Sequence, residues 1–312
     1  MQGLEIAEKF YNEYGKAMLE TEFPDEIGEI AVGLVGEGSE CMGFDDELSK
    51  DHDFEPAFCL WIDENAYHKF GFKLERAYAK LPKEFMGLKR NPLSPAGGNR
   101  HGVIITNEFY QKLLGAPNAP DTITRWLYTP SQNLLSASDG KVFRDDSGKF
   151  SAVRNIIKKG YPEDIRLKKI AAHAAIMSQS GQYNYQRLID RGETGAAQLA
   201  AFEFVKHCIS IIYLLNNAYE PFYKWAYRGM RDLPVLSDLE FALIGLTELG
   251  NSKKQANEKR EIIEEIAKMV IDEFKAQNIT KATCNNLDTH AFSVTDHIKN
   301  PELRNMNIME GI

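Results

Sequence analysis

Apolar residues follow two kinds of pattern along this chain, and the change comes near residue 148. Before it, short continuous apolar runs alternate with helical stretches. Residues Leu4 to Leu19 place Leu4, Ile6, Ala7, Phe10, Tyr11, Tyr14, Ala17 and Met18 at helical spacing over an acidic face. Phe23-Pro24 ends that helix, and a first strand is expected from near Ile27, centred on the run Ile30 to Val35. The connector Glu40 to Lys50 is short and acidic, a loop or a single helical turn. A second apolar run, Phe58 to Ile62, predicts a second strand. Ala66 to Leu81 predicts a helix, and Pro82 to Arg100 a loop whose Lys83, Lys89, Arg90 and Arg100 form a local basic cluster that reads first as solvated. Gly102 to Thr106 is a third strand. Glu108 to Leu114 is a helix stopped by Gly115, and Thr122 to Tyr128 a short helix. Ser138-Asp139-Gly140 is a turn signal, followed by the strand Lys141 to Asp145.

From Phe150 onward the periodicity is helical and no strand is evident. The spacing predicts helices over Ala152 to Lys159, Pro162 to Ser180, Tyr183 to Arg191, Thr194 to Tyr219, Leu236 to Leu249 and Lys254 to Gln277, with an ill-defined tail. Thr194 to Tyr219 is apolar nearly all round, as the buried centre of a bundle should be. Lys254 to Lys275 mixes both signs of charge and reads as a solvated face. The expected fold is therefore α/β (α+β). Residues 1–148 form a small mixed sheet with helices on one side, and residues 149–312 an all-helical bundle. A site in the cleft between the two is expected.

Bulk properties narrow the function. With 312 residues the chain can build two cores. A formal net charge of -8 argues against a protein that coats nucleic acid, so no extended nucleic-acid surface is expected. Cys41, Cys59, Cys208 and Cys284 show no CxxC spacing and suit a reducing, cytoplasmic setting. The N-terminus lacks the pattern of a signal peptide, and no uninterrupted apolar run approaches the ~20 residues of a membrane span. The longest, Cys208 to Leu215, reads as part of a buried helix, so no membrane partner is expected.

Candidate chemistry gathers where the first strand ends. Gly36-Glu37-Gly38-Ser39 offers backbone N–H groups and a hydroxyl suited to phosphate oxygens. After eleven intervening residues come Asp51 and Asp53, which alternate strand positions would project to one side. Two carboxylates on one face repel unless a cation lies between them, and both are hard oxygen ligands of the kind Mg²⁺ takes. The glycines do not make a dinucleotide fingerprint, because the third is misplaced, nor a Walker A loop, because no Gly-Lys-Ser/Thr follows. Together these residues suggest a pocket for a metal-bound nucleoside triphosphate. His52 is expected in the core, and His68, His101, His173, His207, His290 and His297 show no metal-ligand spacing. Glu55 shares the face of Asp51 and Asp53, but Pro56 distorts that strand.

Gly38-Ser39 followed by Asp51-His52-Asp53-Phe54 resembles the signature of the nucleotidyltransferase superfamily related to DNA polymerase beta. The fuller string from Gly36 to Phe54 resembles a bacterial family of unknown role within it. Val142-Phe143-Arg144-Asp145, Tyr161-Pro162-Glu163-Asp164 and Tyr219 to Trp225 are also similar, so the resemblance covers most of residues 30 to 235. It implies a third carboxylate on a neighbouring strand. Asp145 is the candidate, as the end of the only later strand that carries an acid, with Asp146 and Glu108 as rivals. It implies Mg²⁺ held by Asp51, Asp53 and Asp145, an NTP such as ATP as co-substrate, and transfer of a nucleoside monophosphate to a hydroxyl with release of pyrophosphate. Ser39 and Gly38 would bind phosphate. The chain also resembles antibiotic nucleotidyltransferases, whose helical domain faces the active site. Lys224 could there reach a phosphate, while Arg154 and Arg187 read first as ordinary helix cations. The acidic chain favours a small acceptor. The alternatives are transfer to RNA or a protein side chain, or a regulatory protein that binds nucleotide without turnover. A homodimer is compatible with the sequence.

Overall fold

The computed structural model describes residues 1–47, 55–91 and 100–312. The expectations for Asp51 and Asp53 lie outside these described residues, as does His52. The fold is mixed α+β, as its hydrophobic patterning requires. The chain packs as two units, Met1–Asp121 with Thr129–Lys159, and Thr122–Tyr128 with Gly160–Ile312. The compositional change near 148 and this division differ by two helices, Lys149–Ile157, which belongs to the first unit, and Ile123–Tyr128, which belongs to the second.

The first unit holds a sheet of β1 (Ala31–Leu34), β2 (Cys59–Ile62), β5 (Gly102–Ile105) and β6 (Lys141–Arg144), and a separate hairpin of β3 (Glu84–Phe85) and β4 (Leu88–Lys89). The order is β5-β2-β1-β6, with β2 and β5 parallel and the other pairs antiparallel. β1 and β2 are buried at every position. On one side, Val32, Leu60 and Ile62 join Phe10, Leu19, Phe23, Leu74 and Tyr78 from the helices flanking the sheet in sequence. On the other, Trp61 stacks on Phe150 at 4.0 Å and meets Phe109 edge-on at 5.6 Å. Helices thus cover both faces rather than one. The cause is visible in the strands themselves: a continuous apolar run, unlike an alternating one, has no face to give to water.

Close backbone approach sets two other features. A Cβ at Gly33 would lie 2.9 Å from Val142 Cα, where the β1–β6 register shifts. The N-terminal helix runs Gly3–Phe10, a wider turn Tyr11–Gly15, then Lys16–Glu22. There Lys16 N–H reaches Tyr11 O, five residues back, where Gly15 lies against the Phe58 ring.

The stretch read as a loop from Pro82 contains the hairpin instead. Met86 and Gly87 turn it with φ of 52° and 80°, and Phe85 packs 5.4 Å from the Phe10 ring. Met-Gly is not a usual sequence for such a turn, so nothing announced it. Arg90 is not part of a solvated cluster. It donates to Leu81 O at 3.1 Å and Tyr78 O at 3.4 Å, closing the end of the helix Phe72–Lys80, and lies over the Tyr78 ring. The helix Ser131–Ser138 has no counterpart in the sequence pattern, because its buried side is only Leu134, Ala137 and Ser138.

The second unit is helical. Glu163–Met177 continues through a wide-turned segment, Ser178–Tyr185, into Gln186–Asp190, so the two helices expected over 162–191 form one run. A Cβ at Gly181 would lie 2.9 Å from Phe204 Cε2, so that glycine lets this run approach the helix Thr194–Leu215. Thr194–Leu215 is long and apolar enough to cross a membrane by composition, yet 67% of its apolar window is buried inside the protein. That is the buried centre its sequence predicts. Tyr223–Met230, Glu240–Glu248, Lys253–Ala276, Leu287–Thr295 and Pro301–Asn305 complete the unit.

Two expectations follow. Trp61→Ala removes a fully buried ring from the stack with Phe150 and should cost about 3–5 kcal/mol, measured by urea denaturation. Burial lowers the pKa of both His173 and His207 below the ordinary value. Below ~6.5 the unfolded chain then binds more protons than the folded one. Stability from this pair is present above that pH and is lost as pH falls toward the folded values. Melting temperatures between pH 7.5 and 5.5 should decline, and the decline should flatten in a His173→Asn/His207→Gln variant.

Candidate functional site

β1 delivers the chain into a tight bend. Gly36 and Gly38 both have φ of 134°, a region that only glycine enters with little strain. A single helical turn, Ser39–Met42, follows and ends at Gly43 in the left-handed region. The bend is covered by Arg100. Its Nε donates to Glu37 O at 2.9 Å, and its Nη2 bonds Glu37 O and the buried Glu40 carboxylate. A Cβ on Gly38 would run into that guanidinium. Lys112 pairs with Glu37 at 2.7 Å. Beneath, burial raises the Cys41 thiol and pushes Cys59 up to about 12, so neither is a nucleophile at neutral pH.

The strand register decides which acid stands beside the bend. Leu34, at the outgoing end of β1, pairs with Lys141, while Val32 pairs with Arg144. The start of β6 therefore lies at the bend and its end lies away from it. Gly140 N–H donates to Cys41 O at 3.1 Å, and a Cβ on Gly140 would strike Leu34 O and lie 3.1 Å from Val35 Cα. Asp139, one residue earlier, belongs to this turn. Burial raises its carboxyl pKa, against the pull of the Gly140 N–H at 2.8 Å and of Arg154 and Lys158. Arg154 fixes the same turn from the helix Lys149–Ile157, donating to Asp139 O at 3.2 Å and to Gly140 O. Its own Nε is buried with no partner among the described residues.

Asp145 is at the other end of β6, about 15 Å from Gly140 at the usual strand rise. Its carboxylate accepts Ser151 N–H at 2.7 Å and Ser147 Oγ–H at 3.2 Å, the contacts of a helix cap. Asp146 pairs with Arg144, and Glu108 is exposed on the first turn of the helix Thr106–Leu114. Glu55 is engaged by His101 at 3.1 Å and by Asn91 N–H at 2.5 Å. Burial acts to raise its pKa, but those bonds outweigh it and hold the carboxyl below its ordinary value. Among the described residues, no three His, Cys, Asp or Glu gather as a metal group. In the second unit, exposed Lys224 lies 4.1 Å from the centroid of Trp225, and Arg187 stacks 4.7 Å over Tyr183.

Gly38 is thus met by Arg100, and the residues on either side of the bend, Leu34, Val35 and Cys41, by the Asp139–Gly140 turn that Arg154 holds, while Asp145 lies at the far end of β6. In sequence Asp139 reads as turn chemistry, because its place depends on which strand β6 pairs with and in which sense. An acid immediately before a strand antiparallel to β1 is the available signal. Gly140→Ala should destabilise the first unit by at least about 1–2 kcal/mol from the left-handed backbone alone. In urea titrations it should exceed the loss from Gly115→Ala, where no atom stands within 4 Å of the added methyl.

Among known proteins, residues 126–226 match a family described as Domain of unknown function (DUF4037), a span that includes Asp139, Asp145, Arg154 and Lys224. No curated protein and no solved structure matches the chain.

Proposed function

We propose that the chain is a Mg²⁺-dependent nucleotidyltransferase that moves a nucleoside monophosphate from an NTP, such as ATP, to a hydroxyl of a small acceptor. One observation carries the reading most: the glycine bend and the half-buried Asp139–Gly140 turn meet at the end of β1. β2 runs antiparallel to β1 with Cys59 opposite Gly33, so Glu55 to Phe58 lead into it from that same end. The sequence puts Asp51 and Asp53 just before Glu55.

The donor chemistry fits magnesium. Asp139 is a hard oxygen donor whose carboxyl pKa burial has raised, the state of an acid short of counter-charge. Asp51, Asp53 and Asp139 would hold the ion, which when bound neutralises charge on the triphosphate. The remaining work falls to the chain. Gly36 and Gly38 give the bend a backbone path that brings the Arg100 guanidinium against it, and Ser39 Oγ would donate to a phosphate oxygen there. Arg100 adds a fixed positive charge at the bend, and Arg154 keeps the Asp139 turn in place. The acceptor oxygen attacks the α-phosphorus, its proton passes to a carboxylate, and pyrophosphate leaves with the electrons of the broken P–O bond. Asp139, with its raised pKa, suits the role of proton acceptor. Positioning and charge neutralisation carry most of such a reaction. The net charge of -8 favours a small acceptor over a polyanion, and four unpaired cysteines suit a cytoplasmic setting.

The test is pyrophosphate release from ATP, GTP, CTP and UTP with Mg²⁺, with and without metabolite or tRNA extracts. Asp53→Asn and Asp139→Asn should each lower it by about a hundredfold or more, since even outer-shell changes at metal sites cost tenfold to a hundredfold. Asp145→Asn should stay within about threefold once folding is matched, a cap contributing to stability rather than to turnover. Release undiminished in Asp53→Asn overturns the proposal, and loss in Asp145→Asn with Asp139→Asn active returns the third acid to the strand end.

A further inference from the structure

We propose that His173 and His207, both in the second unit, form a binding site for one borderline transition-metal ion of the Zn²⁺ class. The two residues lie on the packed helices Glu163–Met177 and Thr194–Leu215, with Nδ1 atoms 2.6 Å apart and ring centroids 4.8 Å apart. They are 34 residues apart in sequence, so no local spacing reveals them. In a neutral pair only one of the two facing nitrogens carries a hydrogen. A cation would take the place of that shared hydrogen, with His173 carrying its remaining hydrogen on Nε2 so that both Nδ1 atoms present lone pairs. At Zn–N distances of ~2.0–2.1 Å and a tetrahedral angle the nitrogens would stand roughly 3.3 Å apart, an outward shift of about 0.4 Å for each ring.

The surroundings suit this use. Glu203 Oε1 lies 2.9 Å from His207 Nε2, which places that nitrogen's hydrogen on the carboxylate side and leaves Nδ1 as the lone pair facing His173. A carboxylate on the far nitrogen is the usual support of a metal-bound imidazole. Burial keeps both rings neutral, the form that binds metal. The positive charges of Lys169 and Lys206 act against a cation at His173 as they do against a proton, and Lys169 is drawn to Gly311 O at 2.8 Å. Because no group of three ligands gathers among the described residues, the chain supplies two and solvent fills the rest. The ion would be exchangeable, unlike a closed structural zinc.

The experiment is calorimetric titration of the full chain with ZnCl₂ in excess Mg²⁺, which occupies oxygen-only sites, alongside Co²⁺ absorption. One saturable site with a nitrogen-ligated tetrahedral Co²⁺ spectrum is expected. His173→Ala and His207→Ala should each reduce the stoichiometry by one, and Glu203→Gln should weaken binding about 10- to 100-fold. Circular dichroism, with His207→Gln as the milder replacement, separates loss of metal from loss of fold. No saturable uptake by the folded protein, or unchanged stoichiometry in both histidine variants, overturns the site and leaves a hydrogen-bonded pair. Neither outcome depends on pyrophosphate release, so this result and the nucleotidyl-transfer reading stand or fall separately.

Discussion

In the first unit the backbones of β6 and β1 approach closely at two glycines. Gly33 and Gly140 stand where a single added carbon would strike the neighbouring strand. The consequence is positional: the turn at Asp139 is pressed against the outgoing end of β1, and the Gly140 N–H is bonded to Cys41 O in the helical turn beyond the bend. Two segments about a hundred residues apart in sequence thereby share one small region. A side chain at either glycine would push them apart, and the acid with them.

Burial then gives this region its chemistry. Asp139 and Arg154 are opposite charges on one turn, but the guanidinium bonds the backbone carbonyls of Asp139 and Gly140. The carboxyl keeps a raised pKa, and desolvation lowers that of the guanidinium. A structural ion pair would show the reverse, each partner holding the other charged. Groups perturbed in this way occur at functional sites and in structural networks alike. Across the bend, Arg100 and buried Glu40 are paired directly, so one side is satisfied and the other is not.

The second unit follows a different constraint. Its central helix, Thr194–Leu215, is apolar enough to need cover along most of its length, and Glu163–Met177 provides part of that cover. Buried polar residues in such a bundle must find partners in each other. Lys259 reaches Gln198 Oε1 at 2.6 Å, Ser210 Oγ donates to Glu220 at 2.5 Å, and His173 meets His207. The histidine pair stands apart because two buried rings meet nitrogen to nitrogen, one donating and the other accepting.

By itself the sequence determined what local physics controls. Unbroken apolar runs gave two buried strands, 3.6-residue spacing gave the helices, and Gly36, Gly38 and Gly115 marked backbone conformations that side chains resist. The expectation of helices on one side overlooked that unbroken runs leave no face for water, and Trp61 and Phe150 pack on the second face. What only the tertiary structure decided was partnership at a distance: the β5-β2-β1-β6 order, the sense of β6, and hence that Asp139 rather than Asp145 adjoins the bend. Arg90 and Arg100 read as a solvated loop cluster and Arg154 as an ordinary helix cation, yet each bonds backbone carbonyls brought in from other segments. Spacing along a chain fixes which face a residue occupies, but strand order and helix contacts arise from competition among all the apolar surfaces at once, and no local pattern encodes the winner.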